Sequence, residues 1–105
     1  MFSEVKEDFR EWLIVKKGVS KRVAGDTISR CKRLDEEVLD SIDLAVSSVD
    51  NYLLAMSEIK NYARANGAKN GAKYAMTGCL RSAMRKYCEY RNPEKISYFP
   101  SAYNL

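Results

Sequence analysis

The stretch NGAKYAMTGCLRSAMRKYCEYR, residues 70–91, decides the predicted fold of this chain. Apolar residues recur in it at three- and four-residue spacing, which is typical of a helix that buries one face. The buried stripe consists of Met76, Leu80, Ala83, Met84 and Tyr87. The opposite side of the helical wheel is mainly basic and consists of Tyr74, Gly78, Arg81, Ser82, Arg85 and Glu89. The pattern therefore predicts a helix that packs on one side and presents a cationic face on the other.

Three segments ahead of this stretch also carry helical patterns. Residues 2–17, 21–34 and 49–65 each show apolar residues at helical spacing. Gly18 suits the left-handed position that follows a helix end, and Ser20 suits the cap of the next helix. The predicted buried faces are Phe2, Val5, Phe9, Trp12 and Leu13 in the first helix, Val23, Ala24, Thr27, Ile28, Cys31 and Leu34 in the second, and Val49, Tyr52, Leu53, Met56, Ile59 and Ala63 in the third.

The connections between these segments are short. Residues 35–47 are acidic and less regular, and they predict only a short helical turn before Ser47 or Ser48 caps the third long helix. Asn66-Gly67 is a turn signal, and Asn92-Pro93 is expected to end the last helix. We therefore predict an all-α, SAM-like bundle of four to five helices with antiparallel neighbours.

The bundle is expected to occupy residues 1–93, followed by an aromatic tail over residues 94–105. The tail carries Tyr98, Phe99 and Tyr103. An aromatic segment of this kind is expected either to pack on the bundle or to join a partner, and the sequence leaves both open.

The residue inventory excludes several function classes. The chain has no histidine, which removes His-based acid–base chemistry and His metal ligands. Its three cysteines have no metal-type spacing, so we expect no metal, cofactor or disulfide framework. No apolar run approaches the roughly 20 residues that span a bilayer. The simplest setting is a reducing cytoplasm, and an enzyme acting alone is disfavoured.

Charge is distributed in blocks along the chain. Residues 18–33 carry a net charge of +4, residues 34–59 carry −7, and residues 60–91 carry +7. Two basic blocks separated by an acidic one form a dipolar arrangement that can orient a protein on a polyanion. The blocks therefore favour double-stranded DNA as a partner.

The order of these features resembles the N-terminal core-binding domain of tyrosine recombinases, also called phage integrases. The family's F..WL opening is matched over residues 9–13, and its G-[LV]-S helix start is matched by GVS at residues 18–20. Its L-S-A-L-R-x-F-Y-x-Y helix is similar to RSAMRKYCEY at residues 81–90, and Asn92-Pro93 follows. The chain departs from the family pattern where Val23, Thr27 and Cys31 replace the usual Thr, Tyr and Leu.

The resemblance implies a SAM-like bundle that forms half of a clamp around duplex DNA. Its second and fourth helices would face the major groove, and they correspond here to residues 20–34 and 70–91. The family's catalytic set is missing from these residues, so a separate catalytic recombinase domain or subunit is an expected partner. The predicted DNA-binding residues are Lys21, Arg22, Ser29, Lys32, Arg33, Lys69, Asn70, Lys73, Tyr74, Arg81 and Arg85.

An alternative interpretation is a non-enzymatic protein-interaction bundle that serves a mobile-element or restriction-type protein. The acidic block at residues 34–59 or the tail would then bind the partner, and the basic faces would only be solvated. The DNA interpretation requires Arg81 and Arg85 to lie on the same side of the fold as Arg22 and Arg33.

Overall fold

The first helix is followed by a glycine in the left-handed conformation. The computed structural model describes residues 1–66 and 70–101, with residues 70–74 described by their backbone alone. Helix α1 spans Phe2–Val15, and Gly18 follows it with a φ of +68°. In that left-handed conformation the Val19 amide donates to the Leu13 carbonyl at 3.1 Å, which closes the helix end. The predicted role of Gly18 is confirmed.

Helix α2 spans Lys21–Arg33 and begins where the sequence predicts. The Ser20 hydroxyl accepts a hydrogen bond from the Val23 amide at 3.2 Å, which confirms Ser20 as the N-cap. A π-helical turn over Leu34–Val38 continues the helix. The predicted buried face lies in the core except for Val23, which is exposed in the first turn of the helix.

The acidic segment forms the short turn that was expected. Helix α3 spans Ile42–Ala45, and its N-terminus is held by two side chains. The Asp35 carboxylate accepts from the Ile42 amide at 2.9 Å, and the Ser41 hydroxyl accepts from the Leu44 amide at 3.2 Å.

Helix α4 spans Val49–Asn66, and the Ser48 hydroxyl caps it by accepting from the Asn51 amide at 3.1 Å. Its predicted buried stripe is correct except at Leu53, which is exposed. Ala55 is buried instead, since α3 packs on that side of α4.

Helix α5 spans Asn70–Arg91 and lies at the centre of the fold, where it packs against α1, α2 and α4. Its predicted stripe is confirmed: Leu80, Ala83, Met84 and Tyr87 are buried, and Met76 is half-buried. The Tyr87 ring meets the rings of Phe2 and Phe9 edge-on, with centroids 5.3 and 5.2 Å away. Such aromatic packing joins the first and last helices.

The segment after α5 folds back onto the bundle. The helix ends at Arg91, and the Asn92 side-chain amide donates to the Val46 carbonyl at 2.9 Å. A 3₁₀ turn over Ile96–Tyr98 then delivers Phe99 into the core, with its ring centroid 5.2 Å from that of Tyr52. The tail as far as Ser101 therefore packs on the helices. The described residues form a compact all-α globule of about five helices, without strands.

Candidate nucleic-acid interface

The outward side of α2 is a cationic surface, and we call it the α2 face. It consists of the exposed residues Lys21, Arg22, Asp26, Ser29, Lys32 and Arg33. The opposite side of the same helix is buried against the rest of the bundle. The structure thus brings together five of the predicted DNA-binding residues on one exposed helix.

Cations lie at both ends of the α2 face, and uncharged or acidic groups lie between them. Lys21 and Lys32 are eleven positions apart, which is about 16 Å along a helix axis. Arg33 is exposed and lies 3.6 Å from the Glu37 carboxylate, an ion pair that is weak in water. A shallow depression of about 210 Å³ lies in the middle, beside Asp26 and Ser29.

Arg81 does not lie on a cationic surface, so its predicted outward position is wrong. Only 5 % of the residue is exposed. Its Nε and Nη2 both donate to the Met56 carbonyl oxygen of α4, at 3.3 and 2.8 Å. Burial lowers the pKa of the Arg81 guanidinium from its ordinary value. Arg81 therefore ties two helices together inside the fold.

Arg85 is also used internally. Its Nη1 donates to the Phe99 carbonyl at 3.0 Å and to the Pro100 carbonyl at 2.7 Å. These contacts hold the returning tail against α5. The side chain is half-buried, so its predicted place on an open basic face is also wrong.

The two arginines point away from α2 as well. The Cys31 thiol of α2 donates to the Ala83 carbonyl of α5 at 3.5 Å, so the Ala83 side of α5 faces α2. At about 100° per residue, positions 81 and 85 lie roughly 160° from that side. The requirement that Arg81 and Arg85 share a side with Arg22 and Arg33 is therefore not met.

The surroundings of these arginines are apolar and buried. Tyr52 is fully buried, and its hydroxyl finds no hydrogen-bond partner of normal geometry in the described part of the chain. Burial raises the pKa of Tyr52 to about 12, against the opposing effect of the nearby guanidiniums. Burial likewise raises the pKa of Cys88 to about 11. At Arg81 this side of α5 is therefore interior, and at Arg85 it is half-buried.

Four predicted site residues fall outside what the structure describes. Lys69 lies between the two described ranges, and the side chains of Asn70, Lys73 and Tyr74 are not described. Their assignment to DNA stays a prediction.

Two basic residues, one within α2 and one beside it, are absent from the predicted site. Arg30 is half-buried and borders the depression of the α2 face. Lys86 is half-buried on the side of α5 that faces α2, and its charge partly offsets the rise that burial causes in the pKa of Cys31. The spacing of Lys86 from Ala83 could have identified it, because residues three apart share a helix face.

In the described part of the chain, no backbone of another element lies within 4 Å of a Cβ added at Gly25 or Gly78. A Cβ at Gly25 would lie 3.8 Å from the Arg10 guanidinium, which is ordinary contact, and a Cβ at Gly78 would meet nothing within 4 Å.

Within 1–66 and 70–101, no three His, Cys, Asp or Glu side chains are grouped so that they could hold a metal ion. No helix in the same part of the chain is long and apolar enough to cross a membrane.

Two helices, α2 and α5, were predicted to contact DNA. Of these, α2 is the one whose predicted contact residues are all described and exposed. Comparison of the whole chain with protein-family models, with curated proteins and with solved structures finds no match. The resemblance to recombinase core-binding domains therefore rests on the motifs of the sequence itself.

Proposed function

We propose that this chain is a duplex DNA-binding module that inserts α2 toward the major groove. The observation that carries the proposal is the α2 face, where Lys21, Arg22, Lys32 and Arg33 are exposed at the two ends of one helix. The motif resemblance to the core-binding domain of tyrosine recombinases, and the SAM-like bundle that it implies, support the same choice of helix.

The spacing of the charges suits a duplex. The major groove is about 12 Å wide, and cations about 16 Å apart along a helix can contact phosphates on both of its edges. Asp26 and Ser29 lie between the cationic ends. Aspartate can accept from cytosine and serine can bond to several bases, so these two side chains are placed for base edges.

The proposed site differs from the sequence-based one. Arg81 and Arg85 are removed from it, and Lys86 is added beside α2. Lys69, Asn70, Lys73 and Tyr74 remain proposed contacts from the start of α5. If the four cations of the α2 face each neutralise one phosphate, the slope of log K against log salt is about −4.

The test is a titration of fluorescent duplex DNA, followed by anisotropy at several salt concentrations. The Lys21→Glu/Arg22→Glu variant should bind at least about tenfold more weakly than the parent. Acidic residues in the first turn suit a helix N-terminus, so this variant should fold.

Lys60→Glu/Lys95→Glu is the matched control, because it makes the same change in net charge at exposed positions outside the α2 face. Equal loss in both double variants would show that binding follows net charge alone. That result, or a parent affinity that does not change with salt, contradicts the proposal.

A further inference from the structure

An open groove with exposed leucines in its lining lies between α3 and α4. It has a volume of about 190 Å³. Its floor is formed by the buried side chains of Leu39, Ala45 and Ala55. Leu44 and Leu54 stand at its edges, and they are 55 % and 64 % exposed. Two exposed leucines beside a floor of one leucine and two alanines form an apolar surface that an apolar side chain from outside can contact.

The groove is held in shape by hydrogen bonds. The Asn51 side-chain amide of α4 donates to the Leu44 carbonyl at 3.3 Å and to the Ser47 hydroxyl at 3.1 Å. The Ser47 hydroxyl in turn donates to the Leu44 carbonyl at 2.6 Å. Because Leu44 belongs to a capped and anchored turn, its exposure is a feature of the fold and needs no rearrangement before binding.

Carboxylates lie in the lining of the groove and beside it. Asp40 and Glu58 line it. Asp50 and Glu58 lie one turn before and one turn after Leu54, on the same side of α4. No basic side chain comes within salt-bridge distance of any of the three in the described part of the chain. They belong to residues 34–59, which hold seven acidic residues and no basic one.

We propose that this groove binds an amphipathic helix of a partner protein, with apolar side chains on one face and Lys or Arg beside them. A helix laid in a groove inserts side chains at i, i+3 or i+4 and i+7, and flanking cations would complement Asp40, Asp50 and Glu58. The same carboxylates repel phosphate, so this side of the protein is unsuited to nucleic acid.

The occupant is a different protein rather than a second copy. The exposed large apolar residues of the described chain outside the groove and α4 are Met1, Val15, Val23 and Tyr98. No two of these lie one helical turn apart, so no described helix outside α4 offers the required apolar stripe.

The test uses the full ¹⁵N-labelled chain and a synthetic helix-forming peptide with leucines at helical spacing and lysines beside them. We expect saturable shifts of the amides of Leu44, Asn51 and Leu54. Leu54→Lys should weaken binding by about tenfold or more, as for a central interface residue. Val15→Lys is the matched control, since it makes a similar change at an exposed site on α1, and it should bind like the parent.

Exchanging the charges of the peptide and the protein distinguishes binding in this groove from a general attraction of a cationic peptide to the protein. A second peptide carries glutamates in place of the lysines, and Asp50→Lys/Glu58→Lys should prefer it while the parent prefers the lysine peptide. Leu44→Gln provides a second loss-of-binding variant, with folding checked by circular dichroism.

Peptide affinity that is unchanged in both Leu54→Lys and Leu44→Gln would overturn the proposal. Amide shifts confined to other surfaces would also overturn it, as would an Asp50→Lys/Glu58→Lys variant that still prefers the lysine peptide. Self-association of the parent that Leu54→Lys abolishes would assign the groove to a second copy and would also overturn it.

Discussion

Helices α2 and α5 are both basic and amphipathic, yet their arginines lie in opposite environments. Arg22 and Arg33 of α2 are exposed, whereas Arg81 and Arg85 of α5 donate to backbone carbonyls of α4 and of the tail. The difference arises because α2 is covered on one side only, while α5 is enclosed by three helices and the returning tail. The role of a basic side chain therefore depends on which elements pack over it. Four experiments, by substitution or by pH titration, test this contrast between α2 and α5.

The largest effect is expected at Arg81. Replacement by alanine removes two charge-assisted hydrogen bonds to the Met56 carbonyl and leaves a cavity between α4 and α5. The free energy of unfolding should fall by about 2–3 kcal/mol, as measured by chemical denaturation. Arg22→Ala on the exposed face is the control, and equal losses in the two variants would remove the contrast between the helices.

The next effect is a loss of stability in alkali. Burial raises the pKa of Cys88 from 9.0 to about 11, so the unfolded chain releases this proton first. Below pH 9 the protonated Cys88 contributes its full share of the free energy of unfolding. As the pH rises from 9 to about 11, that contribution is lost at about 1.4 kcal/mol per pH unit. Tyr52, raised from 10.0 to about 12, extends the loss to higher pH. Denaturation measured from pH 8 to 10.5 should show a shallower decline in Cys88→Ala, and identical slopes would argue against an interior Cys88.

A smaller effect is expected at Arg85. Alanine there removes the two hydrogen bonds to the carbonyls of Phe99 and Pro100, at a cost of about 1 kcal/mol. The loss should be local, so hydrogen exchange at the Phe99 amide should accelerate more than exchange in α2. Arg33→Ala serves as control, and an unchanged Phe99 exchange rate in Arg85→Ala would show that the arginine does not hold the tail.

The smallest effect on stability is expected on the α2 face. Arg22→Ala/Lys32→Ala should change the free energy of unfolding by no more than about 0.5 kcal/mol, because both side chains are exposed. DNA affinity measured on the same samples should fall. A large loss of stability would mean that the α2 face is structural, like the arginines of α5.

The helices were predictable because their signals are local. Ser20 and Ser48 cap the helices that they precede, Gly18 takes the left-handed conformation, and α5 ends just before Asn92-Pro93. Each of these features depends on groups within a few residues, so a single sequence contains the information. The predicted burial of Cys31 is also confirmed, since this residue belongs to the apolar stripe of α2.

The candidate surfaces were less predictable. The exposed residues of the α2 face follow from the helical wheel, and all five predicted there are exposed. The helical wheel placed Arg81 and Arg85 in solvent because it identifies one apolar stripe and assigns every other side of the helix to solvent. Long polar side chains can also be buried when carbonyl groups of another element receive their hydrogen bonds. Leu44 and Leu54, in turn, lie far enough apart in sequence that no local pattern joins them in a groove.

The sequence by itself determined where the helices start and stop, which side of α2 is apolar, and that charge alternates in blocks along the chain. These properties depend on backbone propensities, caps and spacing, which act over a few residues. Only the tertiary structure decided that Phe99 enters the core, that two arginines of α5 bind backbone carbonyls inside the fold, and that α3 and α4 border an open apolar groove with carboxylates beside it. Those outcomes depend on which distant segments meet, because burial and hydrogen-bond partners are supplied by elements that a local pattern cannot place.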